Sequence, residues 1–253
     1  MLTLFPPEIS ALTGWLLVGA SFFTSALTAA VGLGGGAALI AIMANLMPVT
    51  ALVPVHGVIQ LGSNAGRAIV QFRHMEWAIL GWFAAGAVIG ALAGGSIAVS
   101  LPAPVLRLGI GLFILWMMWG TVPKFHEAPK RVMVATGFVA TALSMFFGAA
   151  GPVGGAVLAT LGLSRHGFVA TQAGTALLMH LLKIAVFGLL GFAFAPWAGL
   201  MAAMIASGFL GTLAGTQLLG RMNEQTFRKG FKLVMTVLAL NLLWRGVAEM
   251  IGI

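Results

Sequence analysis

Val49-Thr-Ala-Leu-Val-Pro-Val-His56-Gly-Val-Ile-Gln60-Leu-Gly-Ser63-Asn64-Ala-Gly-Arg67-Ala-Ile-Val-Gln71-Phe72 is the stretch that decides the fold. At about 100° per residue, His56, Gln60, Ser63, Asn64, Arg67 and Gln71 fall within roughly a quarter of a helix circumference, and the remainder is apolar. A lipid-facing helix could not tolerate that seam, so it must face protein or water. Interhelical hydrogen bonding would explain the amides, but an arginine is a poor choice for glue, and the stretch reads as the lining of a pathway.

The rest of the chain supplies the setting. Of 253 residues, 60% are hydrophobic and 7% charged, and the mean hydropathy is +1.06. Such a chain is a polytopic membrane protein, with no stretch polar enough for a separate soluble domain. The net charge of +8 sits mainly in short loops, where Lys and Arg set topology rather than bind nucleic acid. Cysteine is absent, which excludes disulfides, thiolate metal sites and a Cys nucleophile. The start, MLTLFPPEIS, lacks a basic n-region, and no removable signal peptide is expected.

Along the chain, the apolar region from Leu12 to Leu46 is broken by Gly32-Leu33-Gly34-Gly35-Gly36 into pieces at about 12–31 and 36–46, the second too short to span. The seam helix follows Pro48. A Gly/Ala-rich run spans Trp77 to Val99, Pro102 and Pro104 make a turn, and a fourth run ends at Gly120. The pattern then restarts: an apolar run to Phe147, a second glycine cluster at 148–155, a short piece to Leu163, a long run from Gly167 to Phe192, a Gly/Ala-rich run from Trp197 to Leu219, and a last run to Ile251.

Gly36-Ala-Ala-Leu overlays Gly155-Ala-Val-Leu at an offset of 119, and Gly90-Ala-Leu-Ala-Gly overlays Gly211-Thr-Leu-Ala-Gly at 121. The chain is therefore read as a tandem duplication: a first repeat over 1–123, a cytoplasmic linker over 124–131 and a second repeat over 132–253. Placing the loops at Arg73, Lys124 to Arg131, Arg165 and Arg221 to Lys229 in the cytoplasm leaves the turns near Pro102 and Ala195 outside. Arg131 and Arg165 then share a side, so the broken region between them enters and returns. The expectation is an all-α integral membrane protein of two inverted-topology repeats, each a glycine-broken helical hairpin plus three transmembrane helices, with both termini periplasmic.

No acidic residue lies inside the apolar runs: there is no Asp, and Glu8, Glu76, Glu127, Glu224 and Glu249 fall in loops or near ends. Lys183, expected near mid-membrane, therefore has no carboxylate, and an unpaired cation there costs about 2.5–3.5 kcal/mol on insertion scales. A water cavity or an anion must relieve it. Gln172, Thr175, His180 and Lys183 share one side of the second long helix; at the 119 offset Asn64 overlays Lys183 and His56 overlays Thr175. The short helices beginning near Gly35 and Val153 would present free N–H groups and a partial positive charge at mid-depth, suited to an anion.

The duplicated glycine clusters, Gly32-Leu-Gly-Gly-Gly with Pro48 and Pro54 downstream, and Gly-Ala-Leu-Ala-Gly at 90–94 echoed at 211–215, resemble the TauE/SafE sulfite exporter family over nearly the whole chain. The second cluster, Gly148-Ala-Ala-Gly-Pro-Val-Gly-Gly, is looser than the first. The resemblance implies a bacterial inner-membrane permease moving sulfite, sulfonates or sulfoacetate, often outward.

The expected substrate-binding residues are Gly34, Gly35, Gly36, His56, Gln60, Asn64 and Arg67 in the first half and Gly151, Gly154, Gly155, Gln172, Thr175, His180 and Lys183 in the second, at the repeat interface. The partners are a small sulfur anion and the lipid bilayer, without nucleic acid, metal or cofactor, and the Gly-rich third spans could support a homodimer. The competing readings are an anion channel or a permease for another small anion, and an intramembrane enzyme. For the latter the sequence has neither Gly-x-Ser-x-Gly nor His-Glu-x-x-His nor paired carboxylates.

Overall fold

Long apolar runs without internal breakers become helices, because in lipid each backbone N–H and C=O must be satisfied within its own segment. The computed structural model describes residues 4–31, 34–121, 129–218 and 224–252, apart from the side chains of 30, 31, 67, 218 and 224–228. Among these residues there are ten α-helices and no strand: α1 Ala11–Val31, α2 Gly35–Leu46, α3 Val49–Val70, α4 Trp77–Ser100, α5 Ala103–Trp119, α6 Val132–Phe147, α7 Gly151–Leu158, α8 Arg165–Leu189, α9 Ala198–Leu218 and α10 Glu224–Ile251. Five described stretches are long and apolar enough to cross a membrane: Ala11–Ala29, Trp77–Ser100, Arg165–Leu189, Ala195–Gln217 and Lys229–Ile251.

Both glycine clusters break the chain as expected. Gly34, at φ 95°, caps the start of α2, and Gly148, at φ 76°, caps the end of α6; a residue with a side chain is strained at such angles. The second short helix stops at Leu158, five residues before the expected Leu163. The expected linker falls largely on 122–128, which lie outside the described residues, as do 219–223 of the basic loop.

The helices fall into two compact units that do not follow the sequence halves. One contains 1–59, 101–120 and 193–253; the other contains 60–100 and 121–192. In the first unit α1 lies along α9, α10 lies along α5, and α2 packs on α1 and α10. In the second, α4 lies along α6 and α8, and α7 packs on α6 and α8. Each hairpin thus packs against the Gly/Ala-rich helix of the other half.

The same register brings these helices together twice. In the second unit a Cβ on Gly86 would overlap the Val134 carbonyl, one on Gly90 the Phe138 carbonyl, and one on Gly94 would lie 2.9 Å from the Ala142 carbonyl oxygen. In the first unit Ser207 Oγ donates to the Val18 carbonyl at 2.8 Å, and a Cβ on Gly211 or Gly215 would overlap the carbonyls of Phe22 or Ala26. The pairs 86/134, 90/138 and 94/142 become 207/18, 211/22 and 215/26, with offsets of 121 on one helix and 116 on the other, and both pairs run parallel. These glycines are occupied by backbone contacts inside the chain.

Candidate functional site

The seam helices each reach back to the first turn of the short helix that precedes them. In the first unit His56, fully buried, lies 3.1 Å through Nε2 from the Gly36 carbonyl. A carbonyl only accepts, so Nε2 carries the proton and donates. In the second unit Gln172 Nε2 donates to the Gly151 carbonyl at 3.2 Å, and Gln172 Oε1 has no partner among the described residues. Residues 56 and 172 differ by 116, as do the first residues of the short helices (35 and 151) and of the seam helices (49 and 165).

The register joining the halves across these helices is therefore 116 and not 119. His56 is the counterpart of Gln172 rather than Thr175, Asn64 of His180, and Arg67 of Lys183. The earlier overlay rested on Gly-Ala-x-Leu, four residues of a composition that recurs throughout the chain, whereas helix starts and side-chain contacts depend on geometry. In the new register each seam helix carries a cation at the same place. The side chain of Arg67 lies outside the described residues.

Neither short helix has a side-chain cap at its N-terminus, which leaves the orphan N–H groups of a first turn without a local side-chain acceptor. In the first unit this end is not midway along the bundle. A Cβ on Gly34 would meet the Phe231 ring at 2.9 Å, and the adjacent Lys232 places its ammonium 3.6 Å from the centroid of Trp119, the last residue of α5. α1 has 21 residues, about 31 Å at 1.5 Å each, and the start of α2 lies beside Phe231 in the first part of α10.

Lys183 is also less central than expected. α8 ends at Leu189, six residues on, because Gly191 at φ 92° turns the chain. The side chain is fully buried, and its Nζ donates to the Gly148 carbonyl at 2.9 Å. Gly148 follows the last turn of α6, so the ammonium sits at the negative end of that helix dipole. Among the described residues the ion pair is Arg107 with Glu249, in the other unit, and Lys183 has no carboxylate.

The remaining candidates divide. Asn64 Nδ2 donates to the Gln60 carbonyl at 2.8 Å, and Thr175 Oγ1 to the Gln172 carbonyl at 3.0 Å, so both are turned onto their own helices. Gly155 lies against Gln172, with 3.3 Å between an added Cβ and Oε1; Gly154 lies near the Phe83 ring; Gly35 packs against Thr24 and Thr28. His180 is buried on α8. Among the described residues no three His, Cys, Asp or Glu gather to hold a metal ion.

Sequence reasoning missed Thr141 and Ser144, which are fully or almost fully buried on α6 with hydroxyls that have no partner among the described residues. A signal for them exists. Phe22-Phe-Thr-Ser25-Ala-Leu-Thr28-Ala-Ala-Val-Gly32 and Phe138-Val-Ala-Thr141-Ala-Leu-Ser144-Met-Phe-Phe-Gly148 share Phe-x-x-[Ser/Thr]-Ala-Leu-[Ser/Thr]-x-x-x-Gly at the offset of 116.

Broken hairpins, span-length apolar helices and a buried cation without a carboxylate define a multi-pass α-helical membrane protein built to handle a polar solute. A family model described as Sulfite exporter TauE/SafE matches residues 17–242. The chain belongs to that family, whose members are sulfite exporters and anion permeases, and it is a transporter rather than an enzyme. Comparison with curated proteins and with solved structures gives no match.

Proposed function

We propose that the chain is a secondary transporter, and specifically an exporter, of small sulfur-containing anions such as sulfite or organosulfonates of the sulfoacetate kind, working by alternating access. The observation that carries the reading is Lys183: a fully buried ammonium with one carbonyl acceptor and, among the described residues, no carboxylate partner. An anionic cargo supplies the missing charge during each cycle. The uncapped N-termini of α2 and α7 add backbone donors of the type that hold oxyanions.

The protein sits in the bacterial inner membrane with both termini periplasmic and its two repeats inverted. The basic loops at Arg73, Lys124 to Arg131, Arg165 and Arg221 to Lys229 support that orientation. An inside-negative potential then favours export of an anion by about 2.3 kcal/mol per charge per 100 mV.

Purified protein is melted with sulfite, sulfoacetate, taurine, sulfate and chloride at constant ionic strength, and counterflow is measured in proteoliposomes. Stabilisation by sulfite or a sulfonate, with saturable counterflow of the same anion, is the expected result. No shift with any sulfur anion removes the substrate class, and flux that neither saturates nor exchanges makes the protein a channel.

A further inference from the structure

Three polar groups of the second unit are left short of partners along the second half of α6 and the Gly148 turn that follows it. The Lys183 ammonium has three donors and uses one, on the Gly148 carbonyl. Thr141 and Ser144 stand seven and four residues before Gly148, two turns and one turn away along the same face of α6. Their hydroxyls are buried and unpartnered among the described residues.

Helical Ser and Thr normally return their hydroxyl to a carbonyl three or four residues back. In this protein Thr24, Thr28, Thr136 and Thr212 do so, at 2.8–3.0 Å, and Thr141 and Ser144 do not. A hydroxyl also stands at both equivalent positions of the first hairpin, Ser25 and Thr28, with the Ala-Leu between them shared.

We infer that Lys183, Thr141 and Ser144 form a binding subsite for one oxyanion group, the sulfite ion or the sulfonate head of the transported molecule. Two remaining ammonium donors and two hydroxyls offer four hydrogen bonds and one positive charge, which a group with three oxygens and negative charge can use together. Water would satisfy the hydroxyls but leave the charge. This rests on the anion-transporter reading and adds to it the residues that hold the head group.

The full-length protein is titrated with sulfite and with sulfoacetate, as wild type and as Thr141→Val, Ser144→Ala and Thr141→Ser. Thr141→Val and Ser144→Ala should each raise the dissociation constant roughly 10- to 100-fold, the effect of losing a hydrogen bond to a charged group. Thr141→Ser should bind as wild type, and the melting temperature without anion should not fall in Thr141→Val or Ser144→Ala. Wild-type binding left within about twofold by both hydroxyl deletions overturns the subsite and leaves the transporter reading standing. A drop in the anion-free melting temperature makes the hydroxyls structural and also overturns it. Absence of wild-type binding to either anion removes both readings.

Discussion

Replacing Gly90 by Ala tests the packing that joins the two sequence halves. The added Cβ would overlap the Phe138 carbonyl oxygen and lie 2.9 Å from the carbonyl carbon and Cα of the same residue. All three atoms are backbone, so no side chain can rotate away and α4 must part from α6. Overpacking of this kind costs about 1–3 kcal/mol, and the separation also weakens dispersion contacts along the interface. Gly81, on the same helix, has nothing within 4 Å of an added Cβ, and there Ala should stabilise by about 0.8–1.0 kcal/mol through helix propensity. The propensity gain is common to both variants, so they should differ by the overpacking cost, about 1–3 kcal/mol, or on the order of 2–12 °C in melting temperature for a chain of this size. Thermal unfolding in detergent measures it. Gly211→Ala, which overlaps the Phe22 carbonyl, should behave as Gly90→Ala, with Gly19→Ala as the open control on α1. Equal melting of Gly90→Ala and Gly81→Ala would refute the close approach.

Two further outcomes follow from the side chains between seam and short helix. His56→Ala removes a fully buried ring and the donor to Gly36, and should destabilise by about 2–4 kcal/mol in chemical unfolding. Gln172→Ala removes one donor from a half-buried residue and should cost about 1 kcal/mol. If the transported species carries one net charge, clamping proteoliposomes at 100 mV should bias its equilibrium distribution by about 50-fold toward the positive side, read as the ratio of labelled anion at steady state.

Helix identity was legible because the breakers are strong and local: the boundaries of α3 and α4 fall where Pro48 and the turn at Arg73 to Glu76 place them. Partner choice was not. A glycine stripe states that another backbone comes close, but Gly86 and Gly90 carry no information that the approaching carbonyls belong to Val134 and Phe138. The duplication was visible, yet its register was hidden by glycine and alanine, and the Ser25/Thr28 and Thr141/Ser144 pairs that mark it drew no notice because single hydroxyls in membrane helices are common. The missing counter-charge of Lys183 followed from composition alone, whereas its bond to Gly148 depended on a turn only the folded chain brings near.

Exchange of elements between the halves constrains how the protein can move. A rigid motion of 1–123 against 132–253, the rocking suggested by the repeats alone, would tear α4 from α6 and α1 from α9 along their closest backbone approaches. Under the proposed alternating access, the moving bodies are expected to keep those pairs together, as the compact units do. The absence of cysteine makes this testable without background. A Cβ on Gly95 lies 3.7 Å from the Val186 Cβ, within the range a disulfide requires, and the pair ties the first sequence half to the second inside one unit. Gly95→Cys with Val186→Cys, oxidised in proteoliposomes and scored by mass spectrometry for closure, should retain counterflow comparable to its reduced form. Motion of the sequence halves would instead be blocked by that bond, so flux abolished on oxidation and restored on reduction would show that α4 and α8 separate during transport and that the moving bodies are the halves after all.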